Sequence, residues 1–419
     1  MPKRKRIRKY TGPDVTSGLD ISIGDAIQIR LMGIDYQGLT KSEWNGAPLS
    51  VMGGIPGELV TAKIIRILPE KLIAKVFKVD EASEHRVEPP CKYFLDCTGC
   101  QWQHISYDQQ LELKSQMISE EIQKRKSLNN PSVVSIVPSP LKFNYRNHAR
   151  FTVSKWPENM GQVGFMNNVT RRFVKIDECL LMDPKINEIL KATQGKLRGH
   201  TQISVRTGQD RSFLIQPKLT GDSELTSKLP SSGQSYFEDR ILDRKFRIAS
   251  PSFFQVNSLQ MEQMVKEVVR MFRLNGEGTL LDAYSGVGVF AVLLSKYVNK
   301  VISVEESASS IQDALFNSFD IPNIEFIESK VENIINQIVD VIDYVLLDPP
   351  RTGCLPEVLE AVSDMNPRKV ILVSCDSDAF VRDVEHLVKK GFRLIEVRPV
   401  DMFPQTRHIE ILALLECAK

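Results

Sequence analysis

A regular alternation of apolar strands and helical stretches over residues 261–419 constrains the fold of this chain more than any other feature. A helix-like stretch at 261–274 precedes strand-like stretches separated by helical connectors, namely TLLDAYSG (279–286), KVISVE (300–305), NIEFIES (323–329), DYVLLDPP (343–350), KVILVSC (369–375) and FRLIEVRPV (392–400). Such repetition predicts an α/β fold with a parallel, doubly wound sheet. The last stretch, HIEILALLE, follows after only seven residues, DMFPQTR. A connection that short excludes a parallel crossover, so the last strand is predicted to be antiparallel.

The remaining sequence divides into three further segments. Residues 19–80 alternate apolar and polar positions between glycines and prolines, which predicts a small, OB-like β-barrel of a shape that commonly binds RNA. Residues 81–260 combine a helical stretch at 106–126 with strand-like pieces and are predicted to form a central mixed α/β domain. Residues 1–18 form a basic arm, in which six of the seven residues at 3–9 are Lys or Arg. The arm is either a solvated tail or a segment that follows a phosphate backbone.

Composition and hydropathy argue against a membrane protein. Hydrophobic residues make up 42% and charged residues 25% of the chain, as in ordinary soluble proteins. No apolar run approaches the roughly 20 residues of a membrane span, and no apolar segment follows the basic N-terminus as in a secretion signal. We therefore expect a cytoplasmic monomer with no membrane partner and no obligate protein partner. In a reducing compartment, the seven cysteines are better metal-binding or catalytic candidates than disulfide candidates.

The turn after the first strand of the alternation has the composition of a cofactor-binding turn. In DAYSGVGVFAVLL, a strand leads through Gly286 and Gly288 into a helix, so that a ligand can approach the backbone there. The dinucleotide pattern G-x-G-x-x-G is not met, because Ala291 stands at its third position. Glu305 ends the next strand, where a carboxylate suits the hydroxyls of an adenosine ribose. The glycine turn and Glu305 together favour a binding site for a nucleotide or S-adenosylmethionine over a purely structural turn.

Polar side chains also follow later strands of the same predicted sheet. Asp348 follows the fourth strand, Cys375 ends the fifth, and Glu410 lies at the start of the antiparallel last strand. Ligands bind at the carboxyl ends of strands in open α/β sheets, so these three residues are expected on one rim with Tyr284 and Glu305. A buried packing role is the competing interpretation of the cysteine. The position of Cys375 on the same rim as the other polar residues favours a role as a nucleophile.

A thiol, a carboxylate and a methyl donor on one rim suit the methylation of uracil at C5. That carbon is a weak nucleophile, and addition of the Cys375 thiolate to C6 would give it carbanion character. A base must then remove the C5 proton, and Glu410 is the first candidate and His408 the second. The target base must leave its stack, which implies a flipped or single-stranded nucleotide.

Four cysteines have the spacing of a metal site. Cys91, Cys97 and Cys100 are spaced C-x5-C-x2-C, and Cys179 is a remote fourth. Four thiols suit either a tetrahedral zinc ion or a [4Fe–4S] cluster. The single C-x2-C pair favours the cluster over zinc, with unrelated thiols as the third interpretation. Two further cysteines, at positions 354 and 417, are interpreted as packing residues.

Together these motifs resemble the RNA uracil-C5 (5-methyluridine) methyltransferase family, in particular the 23S rRNA uracil methyltransferases. The similarity covers nearly the whole chain, with the N-terminal barrel resembling a TRAM domain and SFFQVN (252–257) resembling the signature before the catalytic domain. The further motifs DAYSGVG, VE, DPPRTG, SCDSDAFVRD and DMFPQTRHIE follow in the family's order. The resemblance implies a Rossmann-like S-adenosylmethionine-dependent methyltransferase domain at 261–419, acting on ribosomal or transfer RNA. The helix at 106–126 would pack on that domain.

The resemblance also implies a role for individual residues. The residues that would bind S-adenosylmethionine are Gln255, Tyr284, Glu305 and Asp348. Cys375 would be the nucleophile and Glu410 the base. The residues that would hold a [4Fe–4S] cluster are Cys91, Cys97, Cys100 and Cys179.

This chain departs from the family's pattern at two places. Relatives often carry Asn where Val289 stands, and often have S-C-N-P-x-T where this chain has SCDSDA after strand five. Two other functions remain open. One is an amino-nitrogen methyltransferase of RNA that uses Asp348 and the two prolines after it and needs no thiol. The other is a non-catalytic RNA-binding iron–sulfur protein.

Overall fold

Residues 10–128, 131–208, 212–219 and 229–418 are described by a computed structural model. The basic stretch at 3–9 lies outside the described residues. The chain divides into two compact units. Unit 1 comprises the residues up to Gln110 together with Asn167–Arg171 and Gln405–Arg407, and unit 2 comprises Leu111–Met166, Arg172–Pro404 and His408–Lys419. The division of the sequence into an arm, a barrel, a central domain and a methyltransferase domain stays a prediction.

Unit 1 contains one six-stranded sheet. Its strands are β1 (Ala26–Arg30), β2 (Gly33–Ile34), β3 (Thr40–Trp44), β4 (Ala47–Met52), β5 (Leu59–Leu68) and β6 (Lys71–Glu81), in the spatial order β1-β5-β6-β4-β3-β2. Three register shifts between β5 and β6 bend the sheet. Its ends approach each other, since Met32 N donates to Lys41 O (2.9 Å) and Ser42 Oγ to Arg30 O (2.8 Å). The alternating apolar residues of β5 point into the core that this curvature encloses.

The first half of unit 2 contains an antiparallel sheet. Its elements are α1 (Tyr107–Gln123, which begins in unit 1), β7 (Ser132–Val133), β8 (His148–Val153), β9 (Val163–Met166), β10 (Phe173–Lys175), α2 (Pro184–Thr193), β11 (Gln202–Thr207), β12 (Phe213–Gln216), β13 (Tyr236–Ile241) and β14 (Arg244–Ala249). The order β10-β9-β8-β11-β12 forms a five-stranded sheet, and β13 and β14 form a hairpin.

The second half of unit 2 is the α/β part. Its elements are α3 (Ser258–Phe272), β15 (Thr279–Ala283), α4 (Val289–Leu294), β16 (Lys300–Glu305), α5 (Ala308–Asn317), β17 (Ile324–Glu328), α6 (Val331–Ile334), β18 (Tyr344–Leu347), α7 (Pro356–Met365), β19 (Lys369–Ser374), α8 (Ser377–Lys389), β20 (Phe392–Val400) and β21 (Glu410–Cys417). The strand order is β17-β16-β15-β18-β19-β21-β20-β7, and β21 is antiparallel to both β19 and β20. The predicted doubly wound sheet with an antiparallel last strand is confirmed.

Two apolar layers cover the two faces of this sheet. Leu280, Leu346 and Ile371 face a core that includes the apolar side of α3 and most of α4. Residues one position along each strand face the opposite core, to which α6, α7, α8 and α1 contribute. The predicted packing of the helix at 106–126 on this domain is confirmed, because Ile118 and Ile122 of α1 lie in the second core. None of the helices in the described residues is long and apolar enough to span a membrane.

Candidate active site at the carboxyl ends of the strands

Strand register brings the predicted site residues of the α/β part to one edge of the sheet. Ala283 of β15 lies beside Val304 of β16 and Leu347 of β18, so the residues that follow these three positions lie at the same level, at the carboxyl ends of the strands. Those residues are Tyr284, Glu305 and Asp348. Cys375 comes directly after β19, and Glu410 is the first residue of β21. We call this edge the rim.

The carboxylate of Glu305 is held in a fixed orientation by two backbone donors. Gly286 N donates to Oε2 (2.9 Å) and Ser307 N to Oε1 (2.8 Å). A carboxylate has about four acceptor positions, so both oxygens keep capacity for another donor. Gly286 has a φ of 56°, and apart from its two chain neighbours no described residue has an atom within 4 Å of the position that a Cβ would take there. The turn is therefore open on the side where a ligand would approach.

Tyr284 starts this turn in a strained conformation. Its φ is 67°, in the left-handed region that non-glycine residues seldom adopt. Burial, together with the nearby Cys354 thiol to which its hydroxyl is hydrogen-bonded, raises the pKa of Tyr284 above its ordinary range. Cys354 is itself buried in the core, as the sequence predicted for a packing residue. The ring of Tyr284 is thereby fixed at the mouth of the turn.

Gln255 lies in an irregular segment that hydrogen bonds connect to the residues around Glu305. Ser252 Oγ lies 3.4 Å from Ser309 Oγ, and Ser309 Oγ lies 3.0 Å from Ser307 Oγ. Ser307 is the residue whose backbone N–H holds Glu305. The segment SFFQVN and the cofactor-type turn are thus parts of one hydrogen-bonded arrangement.

Two acidic side chains lie close together at the end of β15 and β18. Desolvation raises the pKa of Asp348 to about 7, because the side chain is only partly exposed and lies deep among protein atoms. Asp282 is fully buried, and neither of its oxygens has a hydrogen-bond partner among the described residues. Burial raises its pKa well above the ordinary value, as do the charges of Asp348 and Glu305, while the nearby N–H of Ala291 lowers it in part. Sequence analysis missed Asp282, although an acidic residue at a strand end before a glycine turn was a visible signal.

Cys375 and Glu410 lie next to each other across two antiparallel strands. Ser374, the last residue of β19, pairs with Ile411 in register, which places the following residue, Cys375, opposite Glu410. Burial, then the charge of Glu410, then that of Asp348, raise the pKa of the thiol to about 11. Glu410 is 5% exposed, and burial together with the charge of Asp348 raises its pKa well above the ordinary value. The structure therefore brings the predicted nucleophile, the predicted base and Asp348 together.

Arg351 is a site residue that sequence analysis missed. Its guanidinium lowers the pKa values of both Cys375 and Glu410, which places it near both groups. It follows the two prolines after Asp348, and that position in DPPRTG was the available signal. His408, the second candidate base, packs edge-on against Phe403 with 6.0 Å between the ring centroids.

The turn after Cys375 is stabilised locally despite its departure from the family's pattern. Asp376 caps α8 by accepting from Ala379 N (3.1 Å), and Ser374 Oγ donates to Asp376 O (3.1 Å). An Asp at the N-cap satisfies a backbone donor that the helix leaves unpaired. The SCDSDA sequence therefore supplies its own cap, and Cys375 is held between two residues with defined partners.

Replacement of Asp348 by asparagine is expected to change how stability depends on pH. The pKa of the folded carboxyl is about 7 and its ordinary value is 3.8. Between these values the folded protein binds the proton more tightly than the unfolded chain, so the contribution of Asp348 to stability falls as pH rises. Asp348→Asn removes this loss, which is at most about 4 kcal/mol. In thermal unfolding experiments, the stability of the variant relative to the wild type should increase between pH 4 and pH 8. A difference in stability that does not change with pH would contradict the raised pKa of Asp348.

The four cysteines of the predicted metal site lie in different units. Cys91, Cys97 and Cys100 belong to unit 1, in a segment that follows a bidentate ion pair between Arg86 and the buried Glu58, the residue before β5 (2.6 Å). Burial raises the pKa of the Cys97 thiol, and the charge of Cys91 contributes. Cys179 belongs to unit 2, where its backbone N–H donates to the Asn187 side chain (2.9 Å). Within the described ranges, no group of three or more His, Cys, Asp or Glu side chains is arranged to hold a metal ion.

Comparison with known proteins gives consistent results. The family model described as tRNA (uracil-5-)-methyltransferase matches residues 234–418. A protein named as an uncharacterized RNA methyltransferase of Listeria innocua is 30% identical, over 93% of this chain and 97% of its own length. One from Gloeobacter violaceus is 29% identical, over 89% and 92%. The crystal structure of Pyrococcus abyssi tRNA (uracil-54, C5)-methyltransferase in complex with S-adenosyl-L-homocysteine has a TM-score of 0.72 at 24% identity, covering 93% of this chain and 99% of that one. That likeness shows the α/β fold.

Proposed function

Because this chain belongs to the tRNA (uracil-5-)-methyltransferase family, we propose that it methylates C5 of a uridine in RNA with S-adenosylmethionine and so forms 5-methyluridine. The observation that carries the proposal is the juxtaposition of the Cys375 thiol with the Glu410 carboxyl on the rim, where Asp348 influences both. An amino-nitrogen methyltransferase needs neither the thiol nor the second carboxyl. A non-catalytic scaffold gives no reason for a buried carboxyl, a partly buried thiol and a partly buried carboxyl to share one edge.

The cofactor would bind at the turn between β15 and α4. Glu305 would accept from the ribose hydroxyls, since two backbone donors already orient its carboxylate. Tyr284, Gln255 and Asp348 would complete the pocket, and the orphaned oxygens of Asp282 beneath them suit a site that receives positive charge. S-adenosylmethionine supplies an electrophilic methyl group when it is bound. Val289 stands where relatives often have Asn, so that position offers no amide to the cofactor.

The chain's own residues would carry the remaining steps. The Cys375 thiol loses its proton to solvent, and the thiolate adds to C6 of uracil. The C5–C6 π electrons move to C5, and C5 takes the methyl group as the methyl–sulfur bond of the donor breaks. The Glu410 carboxylate then removes the proton from C5, the C5–C6 double bond re-forms, and the thiolate leaves C6. Each bond that forms is matched by one that breaks, and the proton ends on Glu410.

The electrostatics of the rim determine when the thiol can react. A pKa of about 11 keeps Cys375 protonated at neutral pH. Arg351 acts in the opposite direction and favours the thiolate. A cationic sulfonium near Asp348 would do the same, so the thiol would gain reactivity once the methyl donor is in place. This order protects the nucleophile until the reaction is possible.

The proposed RNA surface includes one face of the five-stranded sheet. Arg146, His148 and Arg150 alternate on or beside β8 and so point to the same side, with Arg206 opposite His148 on β11. Burial and then these three arginines lower the pKa of His148 to about 3. Arg206 is buried, and its guanidinium donates to Ser252 O (3.0 Å). Ser252 is the first residue of the SFFQVN segment, which also contains Gln255. Positive charge concentrated there suits a phosphate backbone.

The barrel of unit 1, proposed to be a TRAM domain, offers a second RNA surface. Tyr36 and Phe77 are 73% and 66% exposed. Lys71 lies over the Tyr36 ring at 5.3 Å, and Lys63 over the Phe77 ring at 3.8 Å. Exposed rings beside cations are suited to stacking with unpaired bases.

We also propose that Cys91, Cys97, Cys100 and Cys179 hold a [4Fe–4S] cluster. The C-x5-C-x2-C spacing with a remote fourth cysteine supports it. Protein purified without oxygen should contain about four iron and four sulfide ions per chain, and Cys97→Ser should lower both. A stoichiometric zinc ion with no sulfide would overturn the cluster in favour of a structural zinc site. No step of the methyl transfer depends on it.

The proposed function is tested by mapping 5-methyluridine. Mass spectrometry of ribosomal and transfer RNA from cells that lack the protein should show one 5-methyluridine missing, and the purified protein should restore it. The missing position names the target RNA. RNA that retains every 5-methyluridine and accepts no methyl group at C5 would contradict the proposal. We propose a cytoplasmic, monomeric enzyme, as its RNA substrate class suggests.

A further inference from the structure

Three consecutive backbone carbonyls in the loop between β20 and β21 each accept a hydrogen bond from a different buried side chain. Asn257 Nδ2 donates to Met402 O (3.2 Å), Lys114 Nζ to Phe403 O (3.1 Å) and Tyr145 OH to Pro404 O (3.0 Å). The donors come from α1, from the segment before β8 and from the segment before α3. Loops seldom have this many buried side-chain anchors, because loop carbonyls usually reach solvent.

The same loop holds a buried ion pair. Lys114 Nζ lies 2.5 Å from Asp401 Oδ1, and both side chains are fully buried. Asp401 N also donates to Val137 O (2.9 Å). Removing two charges from water is costly unless the pair is fixed in good geometry, so this contact tolerates little displacement of the loop. Val400, the residue before Asp401, pairs with Glu410 in register.

Asn257 links this loop to the SFFQVN segment (252–257), of which it is the last residue. Its Oδ1 accepts from Gln260 N (3.2 Å) as the N-cap of α3, while its Nδ2 bonds both Ser139 Oγ (3.1 Å) and Met402 O. Gln255 lies two residues before it, and Asn147 Nδ2 donates to Gln255 O (3.0 Å). One side-chain amide therefore connects the segment that would contact the cofactor with the loop that leads to the base.

We propose that Asn257, Lys114 and Tyr145 form a backbone clamp on residues 402–404 that positions Glu410 against the substrate carbon. They are positioning residues, because they touch the loop and not the reacting atoms. The proposal rests on the proposed function, since it assigns the clamp to the step in which Glu410 takes the C5 proton. That step breaks the C5–H and C6–S bonds, re-forms the C5–C6 double bond and returns the thiolate to Cys375. Addition of the thiol and transfer of the methyl group need no base at C5 and are left intact.

Asn257→Asp tests the clamp. The carboxylate keeps the N-cap acceptor and loses the amide donor to Met402 O. With unmodified uridine RNA, we expect single-turnover methyl transfer and the KM for S-adenosylmethionine to stay within about twofold. Breakdown of the methylated covalent adduct should slow by about 10- to 100-fold, as for a base displaced by about 1 Å, so the adduct accumulates on denaturing gels. Tyr145→Phe, which removes one hydroxyl, should give a smaller accumulation and serves if Asn257→Asp fails to fold.

Asn323→Asp is the matched control. Asn323 Nδ2 also donates to two carbonyls, Ser295 O (2.8 Å) and Val298 O (3.1 Å), but lies before β17, at the end of the sheet away from the rim. It should lose stability without accumulating adduct. Wild-type adduct formation with 5-fluorouracil RNA is measured in parallel. If the wild type forms that adduct while the Asn257 and Tyr145 variants break down their adducts at the wild-type rate, the clamp is wrong and the proposed function stands. If the wild type forms no adduct with 5-fluorouracil RNA, both the clamp and the proposed function are wrong.

Discussion

Cys375→Ala is expected to abolish methyl transfer, with a loss of at least about 10³-fold in kcat/KM. Without the thiol, C5 of uracil has no route to carbanion character, and a group at the rim cannot substitute for covalent addition at C6. The measurement is incorporation of labelled methyl groups into RNA by the wild type and the variant. In the same experiment, 5-fluorouracil RNA should trap the wild type as a covalent adduct and leave the variant unbound on denaturing gels.

Cys417→Ala is the matched control for this experiment. Cys417 ends β21, at the opposite end of the strand from Glu410, and its Sγ contacts Asn366. Its loss should leave the methylation rate within about twofold, as for substitutions remote from a site. Full activity of Cys375→Ala with a correctly folded variant would exclude the thiol mechanism and favour direct methylation of an amino nitrogen.

Glu410→Gln is expected to stop the reaction one step later. Removal of a general base lowers the reaction rate by about 10²- to 10⁴-fold. In this reaction the step that slows is the removal of the proton from C5. Methyl transfer should proceed once, after which a covalent, methylated enzyme–RNA adduct persists. The observable is an adduct that carries the methyl label and forms on ordinary uridine RNA. The amide is nearly isosteric and relieves the burial of a carboxyl, so the variant should fold.

Glu416→Gln provides the control within the same strand. Glu416 lies near the other end of β21 and pairs with Lys369 at 3.8 Å. The Glu416→Gln variant should methylate RNA at the wild-type rate. If Glu410→Gln also releases methylated RNA at the wild-type rate, Glu410 is not the base, and His408, which lies two residues earlier in the same connection, becomes the candidate to test.

The sequence predicts the α/β part well because its signals are local and regular. Strand periodicity placed Tyr284, Glu305 and Asp348 on one rim, and the seven-residue connection predicted the antiparallel strand that brings Glu410 opposite Cys375. These inferences need only the spacing of apolar residues and the direction of each strand. The cysteine spacing predicted a metal site in the same way, and that remains a prediction.

Contacts between residues distant in sequence have no such signal. Lys114 and Asp401 pair across 287 positions, and neither stands out in its own segment. The sequence indicates only that Asn257 is an N-cap residue of α3. Its second role, as a hydrogen-bond donor to Met402 O, is apparent only in the folded chain. Asp282 is fully buried in the folded chain, which a strand pattern does not reveal. Tertiary packing decides these positions, so the clamp and the electrostatics of the rim emerge only from the folded chain.

Tritium release from [5-³H]uridine RNA shows whether the methyl group is transferred to C5. Methylation at C5 replaces the C5 hydrogen, so each methyl group transferred from S-adenosylmethionine should release one tritium into water. We expect a ratio of one tritium released per methyl group transferred for the wild type, and methyl transfer without tritium release for Glu410→Gln. Methylated RNA that retains its tritium in the wild-type reaction would contradict the account, because the methyl group would then lie on another atom and the juxtaposed thiol and carboxyl would have another purpose.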